Sequence, residues 1–303
     1  MKRLALEVGP ADAGERLDRF IAARGGVSRG VARRALDAGG VFLDGRRFKV
    51  ASRLLHPGQR VTVNLEEGGQ AAPELAPLER SRLLYADADV AVVDKPAGVP
   101  AQPTLTSDRG TLPELVSALL GGSVTLVHRL DRETSGVTVF ARTAAAAAAL
   151  AEAFRTGAPS KTYLALCARS PAPPEGRIDA PLGKDPARAG LRRVHPAGDA
   201  AATAYRTLRA GPSAALVEAR PETGRTHQLR VHLAHLGAPL LGDARYGGPR
   251  RVGEVAIPRV MLHAVSLELA HPRTGARLLL EAPLPADFLA VEAALLGAAP
   301  AAR

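Results

Sequence analysis

Residues 124–141 read VTLV-HRLDRETSG-VTVFA: an apolar run, a nine-residue polar stretch and a second apolar run in direct succession. Val124–Val127 and Val137–Ala141 are short and rich in β-branched residues, so both read as strands. His128–Gly136, with two arginines, two carboxylates and a closing glycine, reads as the loop between them. Outward from this point the pattern repeats. Short apolar strands are expected at 82–85, 90–93, 162–168, 214–219, 260–269 and 277–281, with only three helices in the same region, Leu112–Leu120, Thr143–Arg155 and His227–Leu236. Strands outnumber helices and do not alternate with them one for one. That argues for an α+β fold on a mixed, largely antiparallel sheet rather than a doubly wound nucleotide-binding fold.

The chain has 303 residues, a prior of about two domains, and 46% apolar residues, enough for a buried core. The formal charge is +10, with a pI of about 10.5, which points to a polyanionic partner, nucleic acid before membrane. Thirty-five of the 40 basic residues are arginines. The abundance of alanine assigns part of that bias to genome composition, although the guanidinium fork suits phosphate. Cys167 is the one cysteine, so an intramolecular disulfide and a multi-thiolate metal site are excluded. The uncharged apolar tract at Ala144–Ala151 is too short to span a bilayer, and no apolar segment follows Lys2-Arg3. No membrane span or signal peptide is expected, and a cytoplasmic location is.

Residues 1–67 hold thirteen basic and eight acidic side chains, net +5. Leu17, Phe20 and Ile21 recur at helical spacing before Gly25-Gly26. Ser28 then caps a second helix that sets Val31 and Ala35 on one face and Arg29, Arg33 and Arg34 on another, closed by Gly39-Gly40. Val41–Leu43, the Asp44-Gly45 turn and the basic stretch 46–50 read as a hairpin, followed by a strand at Val61–Leu65. On these residues alone a solvated basic face competes with nucleic-acid binding. Together, Ser28-Arg29, Arg33, Gly40-Val41 and Asp44-Gly45 resemble the alpha-L RNA-binding motif, the ribosomal S-four-type domain, over Glu15–Val63. The expected organisation is a small helix–helix–strand RNA-binding domain at 1–65 (core about 15–63), a linker at 66–79, a catalytic domain at 80–296 and a tail at 297–303.

No phosphate-binding Gly-rich loop, dinucleotide fingerprint or paired-cysteine site occurs. His227, His232 and His235 share a helix, but their spacing does not gather them, so no metal site is expected. Asp131 lies between Arg129 and Arg132, whose field favours a charged carboxylate. That suits a nucleophile or base, and equally a turn stapled by ion pairs. Gly224–Leu233 (GRTHQLRVHL) sets an arginine at a helix start, a place for anions or a solvated basic helix. Tyr163, in Lys161–Ala165 (KTYLA), reads as a half-buried packing residue when taken alone.

Taken together, HRLDRETSG, KTYLA, GRTHQLRVHL with Gly237–Gly247 (GAPLLGDARYG), Asp94–Gly98 (DKPAG) and His271–Gly275 (HPRTG) resemble the RluA family of pseudouridine synthases. Their order and spacing agree over about 82–290. The resemblance implies that Asp131 is the catalytic aspartate, Tyr163 the tyrosine beneath the target base and Arg225 the basic partner of Asp131. Arg129 would help displace the base. His128, Arg132 and His227 are expected at the RNA, with Arg29, Arg33 and Arg34 of the first domain. The isomerisation involves no net redox change or energy input, so no cofactor is expected. After DKPAG the chain continues Val99–Pro103 without the histidine that many relatives carry, which bears on the choice of RNA. The expected substrate is structured RNA, large-subunit ribosomal before transfer RNA, acted on by a monomer. The rival readings are a transfer-RNA pseudouridine synthase, a non-catalytic RNA- or ribosome-binding protein, and a DNA-binding regulator. An intact Asp131, Tyr163 and Arg225 argues against the second, and the large C-terminal segment against the third.

Overall fold

The computed structural model describes residues 1–69 and 76–297, which form two compact units. Residues 70–75 of the expected linker and 298–303 of the expected tail lie outside the described residues. The first unit comprises Met1–Pro77 and Pro100–Ala118. Strand β1 (Lys2–Glu7) precedes helices α1 (Leu17–Gly25) and α2 (Arg29–Ala38) and strands β2 (Val41–Leu43), β3 (Arg46–Arg47) and β4 (Arg60–Leu65). The strands form an antiparallel sheet in the order β1-β4-β2-β3. Strand β1 was not expected: it is an edge strand whose Leu4 and Leu6 only lean on the core, so its apolar alternation is weak. Leu17, Phe20 and Ile21 of α1 and Ala32, Ala35 and Leu36 of α2 pack on Val41, Val61 and Val63. Ser28 caps α2 by accepting from the Val31 amide at 3.2 Å. Asp44 (φ 49°) and Gly45 (φ 79°) are both left-handed, the turn that matches strand twist in a two-residue hairpin.

The segment Pro100–Ala118 clusters with this first unit, whereas the catalytic domain was expected to run over 80–296. Its polar side chains find their partners here. Lys49 pairs with Asp108 at 2.7 Å, Arg47 donates to the Thr104 carbonyl at 2.5 Å and Thr106 donates to Glu66 at 2.8 Å. Helix α3 (Leu112–Leu120) begins within this segment.

The second unit comprises Leu78–Val99 and the chain from Leu119 onward. Its strands are β5 (Leu83–Ala86), β6 (Val90–Lys95), β7 (Thr125–Leu126), β8 (Ser135–Ala141), β9 (Ser160–Cys167), β10 (Glu175–Asp179), β11 (Leu182–Lys184), β12 (Arg192–Val194), β13 (Ala202–Ala210), β14 (Ala215–Pro221), β15 (Arg251–Val252), β16 (Val255–Ala256), β17 (Leu262–Ala270) and β18 (Arg277–Glu281). The described residues build a ten-stranded sheet ordered β10-β13-β14-β9-β17-β8-β6-β5, with β18 beside β17 and β7 beside β8. All its pairings are antiparallel except β17 with β8. Helices α4 (Ala144–Thr156), α5 (Gln228–His235) and α6 (Ala286–Leu296) cover it. Leu229 and Leu233 of α5 pack on Tyr163, Ala165, Leu262 and Ala264. Ala146 and Leu150 of α4 pack on Val137, Val139, Leu267 and Leu269, and Phe288 and Val291 of α6 pack on Leu166, Leu216 and Met261. The register of β17 slips between Ala264 and Ser266. That bulge re-aims the odd-numbered Leu267 and Leu269 onto the face already used by Leu262 and Ala264. No described helix is long and apolar enough to cross a membrane.

The parallel junction determines where the polar loop goes. Ala219, Tyr163, Ala264 and Gly136 stand opposite one another across β14, β9, β17 and β8. Gly136 has φ 114°, and a Cβ there would overlap the Ala264 backbone. The glycine that closes His128–Gly136 is therefore required by close strand approach, and it brings the loop to the row that carries Tyr163.

Candidate active site

The loop is clasped from below by the Asp94–Gly98 segment. Lys95, fully buried, donates to the carbonyls of Pro96 (3.0 Å), Arg132 (3.0 Å) and Thr134 (2.8 Å). Gly98 and Arg132 exchange a further pair of bonds at 2.8 and 2.9 Å. Burial pushes the Lys95 amine down to about 7, against the pull of Asp131 and Glu133. The three Nζ contacts meet three carbonyls, two of them in the turn that follows Asp131.

Asp131 is held through one oxygen. Arg230 Nη1 donates to Oδ2 over 3.2 Å, and His227 Nε2 faces the same oxygen at 3.9 Å. Among the described residues no donor reaches Oδ1. Arg230 is itself gripped by Asp243, Nε to Oδ2 at 2.7 Å and Nη2 to Oδ1 at 2.8 Å, and lies 5.1 Å from the Tyr246 ring centroid. Burial alone would lower the basicity of Arg230; its bonds to Asp243 and the charges of Asp243 and Asp131 outweigh that and raise it.

His227 precedes α5 in the left-handed region, φ 58°, a conformation that costs a non-glycine residue about 1 kcal/mol or more. Its Nδ1 lies 2.7 Å from Tyr246 Oη, and that oxygen accepts the Arg192 amide at 3.0 Å. With the Tyr246 proton given to Nδ1, the ring proton sits on Nε2 and points at Asp131. Burial lowers the pKa of His227, opposed by Asp131 and assisted by Arg230 and Arg245, so the neutral ring is favoured.

Asp131, Leu130, Tyr163, Leu229 and Leu262 line a cavity of about 360 Å³. Small neighbours, Ala219, Ala264 and Gly136, flank Tyr163 along its row and leave its ring as the raised feature. Burial, reinforced by the Asp131 charge, pushes the phenol well above its ordinary value. Tyr163 is thus a neutral phenol in the resting protein.

Arg225 does not take the place expected for it: the partner of Asp131 is Arg230. Gln228 Oε1 accepts from the Arg225 amide (3.0 Å) and from Thr223 Oγ1 (2.7 Å), fixing a turn before α5. Arg225 Nε goes instead to the Ala200 carbonyl at 3.0 Å. The first turn of the helix then carries Arg230 inward. The signal available in the sequence was the aspartate of GAPLLGDARYG, since a buried arginine needs a second carboxylate. His128 is built into the wall. Its ring stacks on Phe154 with centroids 4.5 Å apart, its Nε2 accepts the Val139 amide at 2.9 Å, and burial pushes it down to about 3. Arg129 is exposed and lines the cavity, and Arg132 turns toward Gly98. His232 is pinned in the core by Thr203 Oγ1 and the Ala180 carbonyl, each at 2.9 Å. Cys167 is buried, which pushes its thiol up.

In the first unit a buried carboxylate organises the basic helix face. Asp18 accepts from Arg16 (3.1 Å), Arg29 (3.0 Å) and Arg33 (3.1 Å). Burial would raise its pKa, and these bonds lower it well below the ordinary range. Arg29, Arg33 and the neighbouring Arg34 remain exposed.

Residues 89–235 match the RNA pseudouridylate synthase family, and residues 15–61 match the S4 domain. The chain is 41% identical to an uncharacterized RNA pseudouridine synthase of Chloroflexus aurantiacus, over 93% of this chain and 90% of the relative. It is 35% identical to ribosomal large subunit pseudouridine synthase D of Pseudomonas aeruginosa, over 78% of each chain. Among solved structures, human RNA pseudouridylate synthase domain containing 4 aligns with a TM-score of 0.58 and 30% identity, over 70% of this chain and 92% of the human one. Fold, motif order and whole-length similarity agree, and the chain belongs to the RluA-type RNA pseudouridine synthases, isomerases that convert uridine in RNA to pseudouridine, with an S4 domain at its N-terminus.

Proposed function

We propose that this enzyme modifies uridines of large-subunit ribosomal RNA, with Asp131 as the catalytic carboxylate, Tyr163 as the platform under the uracil and Arg230 as the residue that aims Asp131. The observation that carries the reading is the asymmetry of Asp131. Oδ2 is committed to Arg230, and among the described residues Oδ1 has no donor and stands beside a cavity lined by Tyr163.

The reaction breaks the bond from ribose C1′ to uracil N1, turns the ring and joins C5 to C1′. C5 then gives up its proton and N1 takes one up. An ionised carboxylate beside the ribose serves this chemistry by attack on C1′ or by removal of the C2′ proton, and either route uses one free carboxylate oxygen. The target uridine leaves its stack first, at a cost of a few kcal/mol. Arg129 at the cavity rim and the S4 arginines Arg29, Arg33 and Arg34 supply offsetting contacts. Large-subunit ribosomal RNA is favoured over transfer RNA because several of the similar proteins are ribosomal large subunit pseudouridine synthases.

The test is pseudouridine mapping by carbodiimide labelling and primer extension on ribosomal and transfer RNA from cells lacking the protein, complemented with wild type or Asp131→Asn. A large-subunit stop that is lost on deletion and restored only by wild type is the expected result. Restoration by Asp131→Asn removes Asp131 from the chemistry, and a stop confined to transfer RNA replaces the substrate.

A further inference from the structure

Asp131 also lines a second cavity, of about 540 Å³, which shares Arg129, His227 and Arg230 with the first. The two differ in character. The first is floored by Tyr163, Leu130, Leu229 and Leu262, whereas the second is walled by six arginines, Arg129, Arg132, Arg230, Arg245, Arg250 and Arg259, against the carboxylates Asp131, Glu133 and Asp243.

Two of those arginines are already neutralised. Arg230 is held by Asp243 and Asp131, and Arg259 by both oxygens of Asp287 at 2.7 and 2.9 Å. Arg245 and Arg250 are different: both are exposed, and neither forms an ion pair among the described residues. Arg245 adds to the positive field that disfavours protonation of His227. Surplus guanidinium forks around a concave, polar space match a phosphodiester.

We propose that this second cavity is the subsite for a phosphodiester adjoining the target uridine, with Arg245 and Arg250 as its ligands. The inference rests on the RNA-isomerase reading above. The covalent order of a nucleotide is base, ribose, phosphate. With the base on Tyr163 and the phosphate at Arg245 and Arg250, the ribose falls on the wall the cavities share, where Asp131 Oδ1 stands. The arrangement also holds the nucleotide extended: a base still stacked in its helix cannot reach the first cavity while its phosphate occupies the second. Backbone contacts of this kind position the strand without reading its sequence.

The test uses the full-length protein and an unmodified transcript of large-subunit ribosomal RNA, measuring binding over a range of salt concentrations and pseudouridine formation in parallel. Arg245→Gln/Arg250→Gln is compared with a charge-matched pair on exposed sheet positions, Arg206→Gln/Arg277→Gln, which face Glu218 and Glu268. Loss of two phosphate contacts lowers the slope of log K against log salt by roughly 1.4 to 1.8 and weakens binding at least about tenfold. The loss in kcat/KM falls mainly on KM. A slope and affinity equal to those of the control pair overturn the subsite while leaving the isomerase reading intact. A wild-type chain that forms no pseudouridine in the transcript strikes that reading, and the subsite with it.

Discussion

Arg230 Nη1 reaches Asp131 Oδ2 over 3.2 Å while its other edge is locked to Asp243 at 2.7 and 2.8 Å. The guanidinium therefore acts as a rigid spacer: the buried Asp243 fixes Arg230, and Arg230 fixes which oxygen of Asp131 is free. Arg230→Lys keeps the charge and loses the fork, because one ammonium cannot form two parallel bonds to Asp243 and still reach Asp131. Its kcat is expected to fall on the order of 100-fold, as for a misplaced catalytic group, with RNA affinity retained. Wild-type turnover in Arg230→Lys would remove the aiming role. Arg230→Ala is the less informative change, since it strands a buried carboxylate and costs about 3 to 5 kcal/mol of stability.

The Tyr246–His227–Asp131 series gives a second expectation. Tyr246→Phe removes the proton given to Nδ1 and with it the bias that keeps the ring proton on Nε2 toward Asp131. Loss of one oriented hydrogen bond predicts a drop in kcat of about tenfold, roughly 1.4 kcal/mol, with little change in KM. The acid limb of the pH–rate profile should move to higher pH, because the donor that favours an unprotonated Nδ1 is lost. His227→Gln with unaltered turnover and an unaltered profile rejects the series.

How much of this was legible in the sequence depended on whether the cause was local. Ser28, Gly39 and the Asp44-Gly45 turn act within a few residues, and the first unit followed its expected outline apart from edge strand β1. Asp131 and Tyr163 were singled out by their motif strings, and the structure sets both against one cavity. Arg225 was given the place of Arg230 on the family resemblance alone; the helix was expected from His227 and starts at Gln228, one residue later. The Gln228 bonds that hold Arg225 in the turn before that helix depend in turn on Thr203 and Ala202, some 25 residues away. The return of Pro100–Ala118 to the first unit has the same origin, since the partners of Thr104, Thr106 and Asp108 lie 40 or more residues earlier.

On the S4 domain, Arg29 and Arg33 have two duties, pairing with Asp18 and presenting charge to RNA. Arg29→Ala/Arg33→Ala is expected to weaken binding of ribosomal RNA and to lower the salt slope by roughly 1.4 to 1.8, and also to destabilise this unit, because Asp18 keeps only Arg16. Arg34→Ala carries no such structural cost, and its effect appears in binding alone. Salt-dependent binding and thermal melting on the same variants separate the two duties; an unchanged slope in all of them rejects the domain as a phosphate-contacting surface.

Acid stability should report on His263. The ring is fully buried between Ser135 Oγ at 2.9 Å and the Ala282 carbonyl at 3.3 Å, and burial pushes its pKa down from 6.5 to about 4. Between those values the unfolded chain binds a proton at this site and the folded chain does not. Stability therefore falls as pH drops through the window, by up to about 1.4 kcal/mol per pH unit for a single site, and is fully present above 6.5. His128, pushed down to about 3 for the same reason, adds a second proton over the same range. Each ring touches the β8 segment that leads out of the Asp131 loop, through Ser135 and Val139, so activity near pH 5 should fade with the fold rather than before it. Denaturant unfolding at pH 7.5, 6 and 5 tests this, with His263→Gln as the comparison. That variant is expected to be less stable at pH 7.5 and to lose less on acidification, and parallel curves for the two proteins would assign the acid sensitivity elsewhere.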